Sequence, residues 1–415
     1  MRTLFVISHP PLPLNVGGNL RPYHLLRAIA GVSDVTLFCA ATPNRDPDAI
    51  DDLRGLCTDV VVFPGASFRW RQRLHEPRPR LRALLDAANP FELGLVDAYR
   101  SADAVAALRR LNDRHFDLVW VERLHLLRSL PDFKSRVILD LNDIEHRKLA
   151  RKLRRVRIRR GSVLDLAEFL KSRALERRLY PRFPEVVVCS EADRAALGAH
   201  PCAWVVPNGI DPPHGQDRDA TPPPAPTFAF VGAMFYEPNI DAVHFFARRI
   251  FPLILQRLPK ARFVIIGRDP TADVRALHDG SRITVTGTVP ATTPYLRATT
   301  VAVVPLRYGS GTRIKILEAF AHRVAVVSST LGAEGLDVDN GRHILLADDP
   351  RAFAAACIRL ATNKPARSVL IDQAHDLVVH RYQWQQIERL VQQIVARSPA
   401  TNNSAADPGR LLGAQ

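Results

Sequence analysis

Two series of alternating apolar runs and helix-period segments constrain the fold of this chain more than any other feature. In the first half, strand-like runs occur at 3–8, 35–38, 59–63, 118–121, 137–141 and 185–189, and helical patterns occur at 22–30, 102–113 and 164–180. Strands that are apolar throughout belong to parallel sheets whose two faces are covered by helices. The first half is therefore predicted to form a doubly wound α/β domain.

A cluster of seven prolines between Pro207 and Pro226 interrupts the alternation, since no helix or central strand could contain it. Beyond it the pattern resumes, with strands at 227–231, 262–266, 283–286, 301–305 and 324–328 and helices near 241–257, 273–278, 295–299, 313–322 and 351–397. A length of 415 residues suits two domains. We expect an α/β protein with two facing Rossmann-like doubly wound domains and a central cleft, where ligands bind at the carboxyl ends of the strands.

The predicted domain limits follow from these patterns. An N-terminal domain covers 1–205, a C-terminal domain covers 206–380, a helix at 381–397 packs back on the N-terminal domain, and a polar tail at 398–415 is disordered. The first apolar run is too short for a signal peptide, and no run of 18 apolar residues predicts a membrane-spanning helix. Five cysteines without paired spacing predict free thiols in a reducing cytoplasm.

The net charge of +15 is concentrated at residues 147–160, which contain nine Lys or Arg residues and no acid. On a helix, Leu149, Leu153, Val156 and Ile158 would form an apolar stripe among these cations. Such a composition is typical of a helix on an anionic membrane surface, here the inner face of the cell membrane. A solvated basic helix is the alternative, and the lack of aromatic residues argues against nucleic acid.

The chemistry of the chain is most evident at Gly309-SGTRIKILE, between a strand and a helix. Glycines let backbone amides approach a ligand closely, and the first amides of a helix suit a diphosphate. Arg313 and Lys315 would neutralise the charge that develops on a leaving nucleoside diphosphate. Glu318, about one turn later, is a natural acceptor for a ribose diol. A glycine-rich turn before a helix with solvated charges is the alternative.

Several motifs of the second half follow the order and spacing of one known family. They are Val206-PNGID, Phe230-VGAMFYEPNIDAVHFFARRIFPLI, Phe263-VIIGRDP, Val285-TGTVP, the Gly309 segment, Gly332-AEGL and Gly341-RHILLADDP. By these motifs the second half resembles the donor-binding domain of glycosyltransferase family 4, retaining enzymes of the GT-B fold. The subgroup it resembles carries a G-x-G-T-R-x-K-x-L-E donor motif. The first half resembles the family only diffusely, as an acceptor-binding domain.

The resemblance implies the residues of the site. It assigns donor binding to Gly17, Gly18, Gly232, Gly287, Val289, Tyr308, Ser310, Gly311, Thr312, Arg313, Lys315, Glu318 and Glu334. It assigns catalysis to Arg313, Lys315, Glu318 and Asp143, and Asp143 is the favoured acceptor-binding residue among Asp140, Asp143, Glu145 and His146. Helix capping by Asn142 or Asp143 is the alternative for that segment. An ordinary turn is the alternative for Gly17–Gly18 and for Glu334.

Two departures from the family pattern change how the site is expected to work. Ser310 stands where the family has the first of two glutamates, and Glu237-PNI-Asp241 stands where many relatives have an Arg and a Lys. We therefore expect Arg313 and Lys315 to neutralise the phosphates, without a metal or another cofactor. The histidines show no metal-binding spacing.

The sequence thus predicts a retaining glycosyltransferase that moves a sugar from a nucleoside-diphosphate sugar to an acceptor hydroxyl in glycan, polysaccharide or glycolipid synthesis. Two alternatives stay open. One is a nucleotide-sugar epimerase of the same fold, which would need acid and base groups around the sugar. The other is a non-catalytic nucleotide-sugar or glycan-binding protein, which the replacement of a family glutamate by Ser310 would permit.

Overall fold

The computed structural model describes residues 1–12, 14, 17–40, 47–62, 102–123, 130–155, 162–198, 200–213, 225–309, 311 and 313–397. The chain divides into two compact units. The N-terminal unit comprises Met1–Pro207 together with the segment that begins at Gln385, and the C-terminal unit comprises Asn208–Trp384. The tail at 398–415 lies outside the described residues.

The described part of the N-terminal unit contains a seven-stranded sheet in the order β3-β2-β1-β4-β5-β6-β7, with every pair parallel. Its strands are β1 Arg2–Ile7, β2 Asp34–Cys39, β3 Asp59–Val62, β4 Leu118–Glu122, β5 Arg136–Leu141, β6 Glu185–Val188 and β7 Ala203–Val205. Its helices are α1 Gly17–Ala30, α2 Pro47–Leu56, α3 Ala102–Asn112, α4 Glu145–Arg155, α5 Ser162–Leu179 and α6 Glu191–Ala196, with a 3-10 turn at Tyr180–Arg182.

The described part of the C-terminal unit contains a six-stranded sheet in the order β10-β9-β8-β11-β12-β13, again with parallel pairs. Its strands are β8 Thr227–Val231, β9 Arg262–Ile266, β10 Ile283–Val285, β11 Val301–Val304, β12 Ala325–Ser328 and β13 Leu345–Leu346. Its helices are α7 Glu237–Phe245, α8 Phe251–Arg257, α9 Ala272–Arg275, α10 Thr293–Arg297, α11 Ile314–Ala321, α12 Pro350–Thr362 and α13 Lys364–Leu377, and π-helical turns cover Phe246–Ile250 and Val378–Tyr382. The last helix, α14, runs from Trp384 to Ala396.

Both predicted doubly wound sheets are present, and the differences lie at prolines and short edge strands. Helix α1 begins at Gly17 rather than at Pro22, and α7 begins at Glu237 rather than near Asp241. The position of Pro238 in the first turn of α7 explains its earlier start, because proline is well tolerated there. The strands β7 and β13 were not predicted, since runs of three and two residues show no usable period.

An aromatic cluster holds the centre of the C-terminal unit. The ring of Phe246 lies 4.5 Å from that of Phe263 on β9 and 6.1 Å from those of Phe251 and Phe353. All four side chains are at most 1% exposed. Because Phe246 lies in the π-helical turn after α7, this packing fixes α7 against the sheet, and the first turn of α7 reaches the end of β8.

Candidate functional site

The strand order of the C-terminal unit defines where a ligand is expected. The chain passes from β8 to β9 and β10 on one side, and then returns to β11, β12 and β13 on the other. In doubly wound sheets, ligands bind beyond the carboxyl ends of the strands at such a reversal. Here Gly232 follows β8, and the segment from Gly309 to Arg313 follows β11. The predicted phosphate segment therefore lies at the switch point of this sheet.

Lys315, in the first turn of α11, reaches from that helix to the end of β8. Its Nζ donates a hydrogen bond to Oδ1 of Asn239 at 2.7 Å and lies 4.0 Å from the ring centroid of Phe230. Burial lowers the pKa of Lys315 well below its usual range, and the nearby Arg313 cation lowers it further. The ammonium is thus held by a neutral amide and an aromatic face.

Gly232 provides the space in which this ammonium lies. A Cβ atom on Gly232 would come within 2.7 Å of Asn239 Nδ2 and 2.9 Å of Lys315 Nζ. A Cβ atom on Gly267, after β9, would come within 1.7 Å of the Gly232 carbonyl oxygen. Two glycines therefore allow the ends of β8 and β9 to approach closely, and the backbone of Gly232 is open toward Lys315.

Arg313 immediately precedes α11 and is 8% exposed. Gly309 and Gly311 have φ angles of 127° and 78°, in the region that glycine alone adopts readily. A Cβ atom on Gly309 would lie 3.0 Å from Arg313 Nη2. The loop thus brings its backbone close to a buried guanidinium, and the phosphate-binding role of Arg313 stays a prediction. Ser310 and Thr312 lie outside the described residues.

Glu318 is half-buried on α11, and its Oε1 accepts a hydrogen bond of 2.5 Å from the hydroxyl of Thr292. Burial raises the pKa of Glu318, while Thr292 and Lys315 oppose that shift. Tyr308 is half-buried. Burial raises the pKa of its hydroxyl, and the negative charge of Glu237 raises it further. The binding roles assigned to Glu318 and Tyr308 stay predictions.

The segment that carries Glu334 is packed against the end of β11. The hydroxyl of Ser329 donates to the carbonyl of Leu306 at 2.5 Å and accepts from the amide of Gly332 at 2.9 Å. A Cβ atom on Gly332 would lie 2.6 Å from the carbonyl oxygen of Val304. Glu334 itself is half-buried in the turn that follows. This turn therefore adjoins the switch point, although the ligand contact predicted for Glu334 stays a prediction.

Two of the residues predicted to bind the donor, Gly287 and Val289, lie farther along the sheet. Gly287 follows β10 and has a φ angle of 71°, and Val289 is half-buried. Because β10 is the edge strand, these residues are two strands away from β8.

The acidic α7 segment, which replaces the family's cations, has partners of its own. The carboxylate of Asp241 accepts a hydrogen bond from Arg307 Nε at 2.8 Å, and the Arg307 guanidinium lies 4.3 Å from the ring of Phe245. Asp241 is therefore paired with a cation on the loop after β11. Asn239, and no acid of this segment, accepts the hydrogen bond from Lys315.

The N-terminal unit has its own switch point, between β1 and β4. Gly17 and Gly18 begin α1 there, and Arg123, after β4, donates from Nη2 to the Gly18 carbonyl at 3.1 Å. That carbonyl is available because Pro22, four residues later, has no N–H to complete the helical hydrogen bond. Arg123 has a φ angle of 66°, which is uncommon for a non-glycine residue. Sequence reasoning missed Arg123, which holds the predicted glycine pair.

A fully buried carboxylate, that of Glu122, forms an ion pair with Arg123. Oε1 of Glu122, at the end of β4, lies 2.5 Å from Arg123 Nε, and Glu122 is 0% exposed. Burial raises the pKa of Glu122, although the Arg123 cation opposes that shift.

The acceptor candidates after β5 separate into different environments. The candidate acceptor-binding role of Asp140 is wrong, because Asp140 is 0% exposed and Arg21 binds its carboxylate at 2.8 and 3.2 Å. The backbone N–H of Glu145 donates a hydrogen bond to Glu176 Oε1 at 2.9 Å, and His146 Nδ1 pairs with the second carboxylate oxygen of Glu176. Asp143 is half-buried between β5 and α4, and its acceptor role stays a prediction.

The basic segment begins on α4, while residues 156–161 lie outside the described residues. Lys148 and Lys152 pair with Glu145 and Asp165 at 2.8 and 3.2 Å. On the following helix, α5, Leu166 and Leu170 are 46% and 54% exposed. Among the described helices, none has the length and apolar character that crossing a membrane requires. The part of the chain that the structure describes contains no group of three or more His, Cys, Asp or Glu side chains suited to a metal ion.

Comparison with known proteins identifies the domain that carries the Lys315 site. Residues 225–363 match the family model described as Glycosyl transferases group 1. These residues, about a third of the chain, are similar to group 1 glycosyltransferases. The prediction of a glycosyltransferase is confirmed at this level, and Gly232, Arg313, Lys315 and Glu318 all lie within the matched residues.

One curated relative matches part of the chain in sequence, and several solved structures share its fold at low sequence identity. An uncharacterised 44.6 kDa protein in a cps region of Klebsiella pneumoniae is 23% identical over 163 residues, which span 37% of this chain and 42% of that protein. Sucrose-phosphate synthase from Thermosynechococcus elongatus has a TM-score of 0.66 at 18% identity, over 95% of this chain and 98% of the other. Anabaena HepE, in complex with UDP and glucose, has a TM-score of 0.62 at 14% identity, over 95% and 99%. The predicted GT-B fold is confirmed.

Proposed function

We propose that this protein transfers a sugar from a nucleoside-diphosphate sugar to an acceptor hydroxyl with retention of anomeric configuration. The observation that carries the proposal is the Lys315 ammonium, held against Gly232 at the switch point of a domain similar to group 1 glycosyltransferases and next to the buried Arg313. A diphosphate is the ligand that matches two adjacent cations beside an open backbone. The similar fold of HepE, which binds UDP and glucose, supports this choice of donor.

The cations would act mainly as the bond to the leaving group breaks. The bond between the anomeric carbon and the phosphate oxygen breaks while the acceptor oxygen bonds to that carbon, and the acceptor proton passes to the leaving phosphate. Negative charge grows on the diphosphate during this step, so Arg313 and Lys315 would bind the transition state more tightly than the ground state. Glu318 would hold the ribose hydroxyls.

The acceptor is proposed to bind the N-terminal unit. Asp143 follows β5, and Gly17 and Gly18 lie at the switch point of that sheet. A glycan, polysaccharide or glycolipid intermediate is the proposed acceptor class. The Klebsiella relative is described as a protein of a cps region, which supports polysaccharide synthesis.

Incubation of the purified protein with a panel of labelled nucleotide sugars and glycan acceptors tests the proposal. Free nucleoside diphosphate together with a glycosylated acceptor is the expected outcome. An interconverted donor would instead indicate an epimerase, and tight donor binding without turnover would indicate a binding protein. Arg313→Ala should weaken donor binding and turnover, whereas Arg351→Ala, at an exposed position of the same unit, should not.

We further propose that the protein acts in the cytoplasm, on the inner face of the membrane, through the basic segment at 147–160. The cations of α4 and the exposed Leu166 and Leu170 on α5 support contact with anionic lipid, because each basic residue near such a surface contributes about 1 kcal/mol. Co-sedimentation with vesicles containing anionic lipid should fall when the arginines between 154 and 160 are changed to glutamine. Changing the exposed Arg109 and Arg110 of α3 is the matched control. Equal sedimentation of all forms would end the membrane proposal.

A further inference from the structure

The ammonium of Lys315 is unusual in that a neutral side chain holds it. Within the part of the chain that the structure describes, Asn239 Oδ1 is its hydrogen-bond acceptor, at 2.7 Å. The charged groups that influence Lys315 are Arg313, which lowers its pKa, and Glu318, which raises it to a smaller extent. A buried lysine more often pairs with a carboxylate, which offsets the cost of removing its charge from water.

The amide of Asn239 is fixed at both ends. Its Nδ2 donates to the carbonyl of Ala233 at 2.9 Å, and the side chain is 6% exposed. Because the Ala233 carbonyl can only accept and the ammonium can only donate, the amide has one orientation that satisfies both neighbours. The backbone amide of Asn239 also donates to the carbonyl of Tyr236 at 2.9 Å, in the first turn of α7. The oxygen that faces Lys315 is therefore rigidly placed.

A neutral acceptor has a consequence that a carboxylate would not have. A carboxylate at position 239 would form an ion pair with Lys315 and cancel most of the field that a phosphate would meet. Opposite unit charges in hydrogen-bond contact attract each other strongly near a protein surface, so that cancellation would be large. The amide orients the ammonium toward Gly232 and leaves its charge available.

We propose that Asn239 is a positioning residue for the diphosphate of the donor, holding the Lys315 ammonium beside the backbone of Gly232 without neutralising it. This inference rests on the proposed function, because it concerns the same site. It explains why the segment Glu237-PNI-Asp241 lacks the cations of the family pattern. Instead of a cation, this segment supplies Asn239, which holds the Lys315 ammonium from α11.

Isothermal titration with UDP, GDP and ADP tests this inference in the full-length protein. We expect Asn239→Ala and Asn239→Asp to raise the Kd of the tightest of these ligands at least tenfold. Asn363→Ala is the matched control, because it removes an asparagine that accepts from the amide of Ala366 at the start of α13, in the same unit. It should lower the unfolding temperature and leave the Kd within twofold.

Two further readouts separate positioning from a merely structural role. In Asn239→Asp, the fall of affinity with rising pH should move to higher pH, since a carboxylate favours the charged form of Lys315. In a Lys315→Met background, Asn239→Ala should change the Kd by less than twofold. The same loss with and without Lys315 would overturn the inference, as would wild-type affinity of both Asn239 variants. If the wild-type protein binds none of the three nucleotides, the proposed function is lost together with the inference.

Discussion

Removal of the Arg21 guanidinium is expected to destabilise the N-terminal unit strongly. The guanidinium binds both oxygens of Asp140, at 2.8 and 3.2 Å, and the two side chains are 2% and 0% exposed. It also donates to the carbonyl of Val206 at 2.7 Å. Burial opposes its charge, but neighbouring groups, Asp140 foremost, raise the pKa of Arg21 above its usual range. Arg21→Met would leave Asp140 as a buried carboxylate without a counter-charge.

The size of this effect follows from the burial of both partners. Removing one member of a buried ion pair costs about 3–5 kcal/mol. In a domain of about 200 residues, each kcal/mol lowers the unfolding temperature by about 2–4 °C, so the expected fall is roughly 6–20 °C. Differential scanning calorimetry of the full chain measures it.

The double variant Arg21→Met/Asp140→Leu is the matched control. Replacing both charges by apolar groups leaves no buried charge unpaired, so most of the lost stability should return. The same loss of stability in the single and double variants would refute the ion-pair argument. An Arg21→Met protein with the wild-type unfolding temperature would refute the burial argument as well.

Three further predictions concern the C-terminal unit. Gly232→Ala should displace the Lys315 ammonium, because the new Cβ would lie 2.9 Å from it, and should weaken nucleotide binding about tenfold. Moving a unit charge from about 4 to 6 Å from its partner loses roughly 1.4 kcal/mol, which corresponds to that factor. Isothermal titration measures the Kd, and an unchanged value would contradict the prediction. The affinity for a nucleoside diphosphate should fall as pH rises through the lowered pKa of Lys315, because only the charged form attracts phosphate, and Lys315→Met should abolish that slope in titrations across a pH series. Gly332→Ala should destabilise the C-terminal unit by about 1–3 kcal/mol in denaturant unfolding, because the new Cβ would meet the Val304 carbonyl at 2.6 Å. Gly55→Ala is the control in the N-terminal unit: its Cβ would meet no atom within 4 Å, so it should not destabilise the protein.

For the candidate site of the C-terminal unit, the sequence indicated individual residues but not the contacts between them. Gly309, Arg313 and Lys315 could be found because a glycine-rich loop between a strand and a helix is a local pattern. Asn239 could not be found in this way, because its segment was noted only for lacking the Arg and Lys that many relatives have there. The one available signal was Pro238, which marks the first turn of a helix and would have put Asn239 at the start of α7.

In the N-terminal unit the sequence was a weaker guide. Asp140 and Asp143 both follow one apolar run, and nothing local separates the buried ion-pair partner from the half-buried side chain. The difference arises because Arg21, 119 positions earlier, lies against Asp140. Arg123 was missed for the same reason, since its partner Gly18 is 105 positions away.

The sequence by itself determined the two parallel sheets, the proline-rich break between them and the glycine-rich segment after β11, because period, proline content and glycine spacing act over a few residues. Only the tertiary structure decided which side chains meet at the carboxyl ends of the strands. Asn239 and Lys315 are 76 positions apart and meet because β8 lies beside β11 in the sheet. That neighbourhood depends on strand order, which follows from how the whole sheet packs and leaves no trace in the period of any single strand.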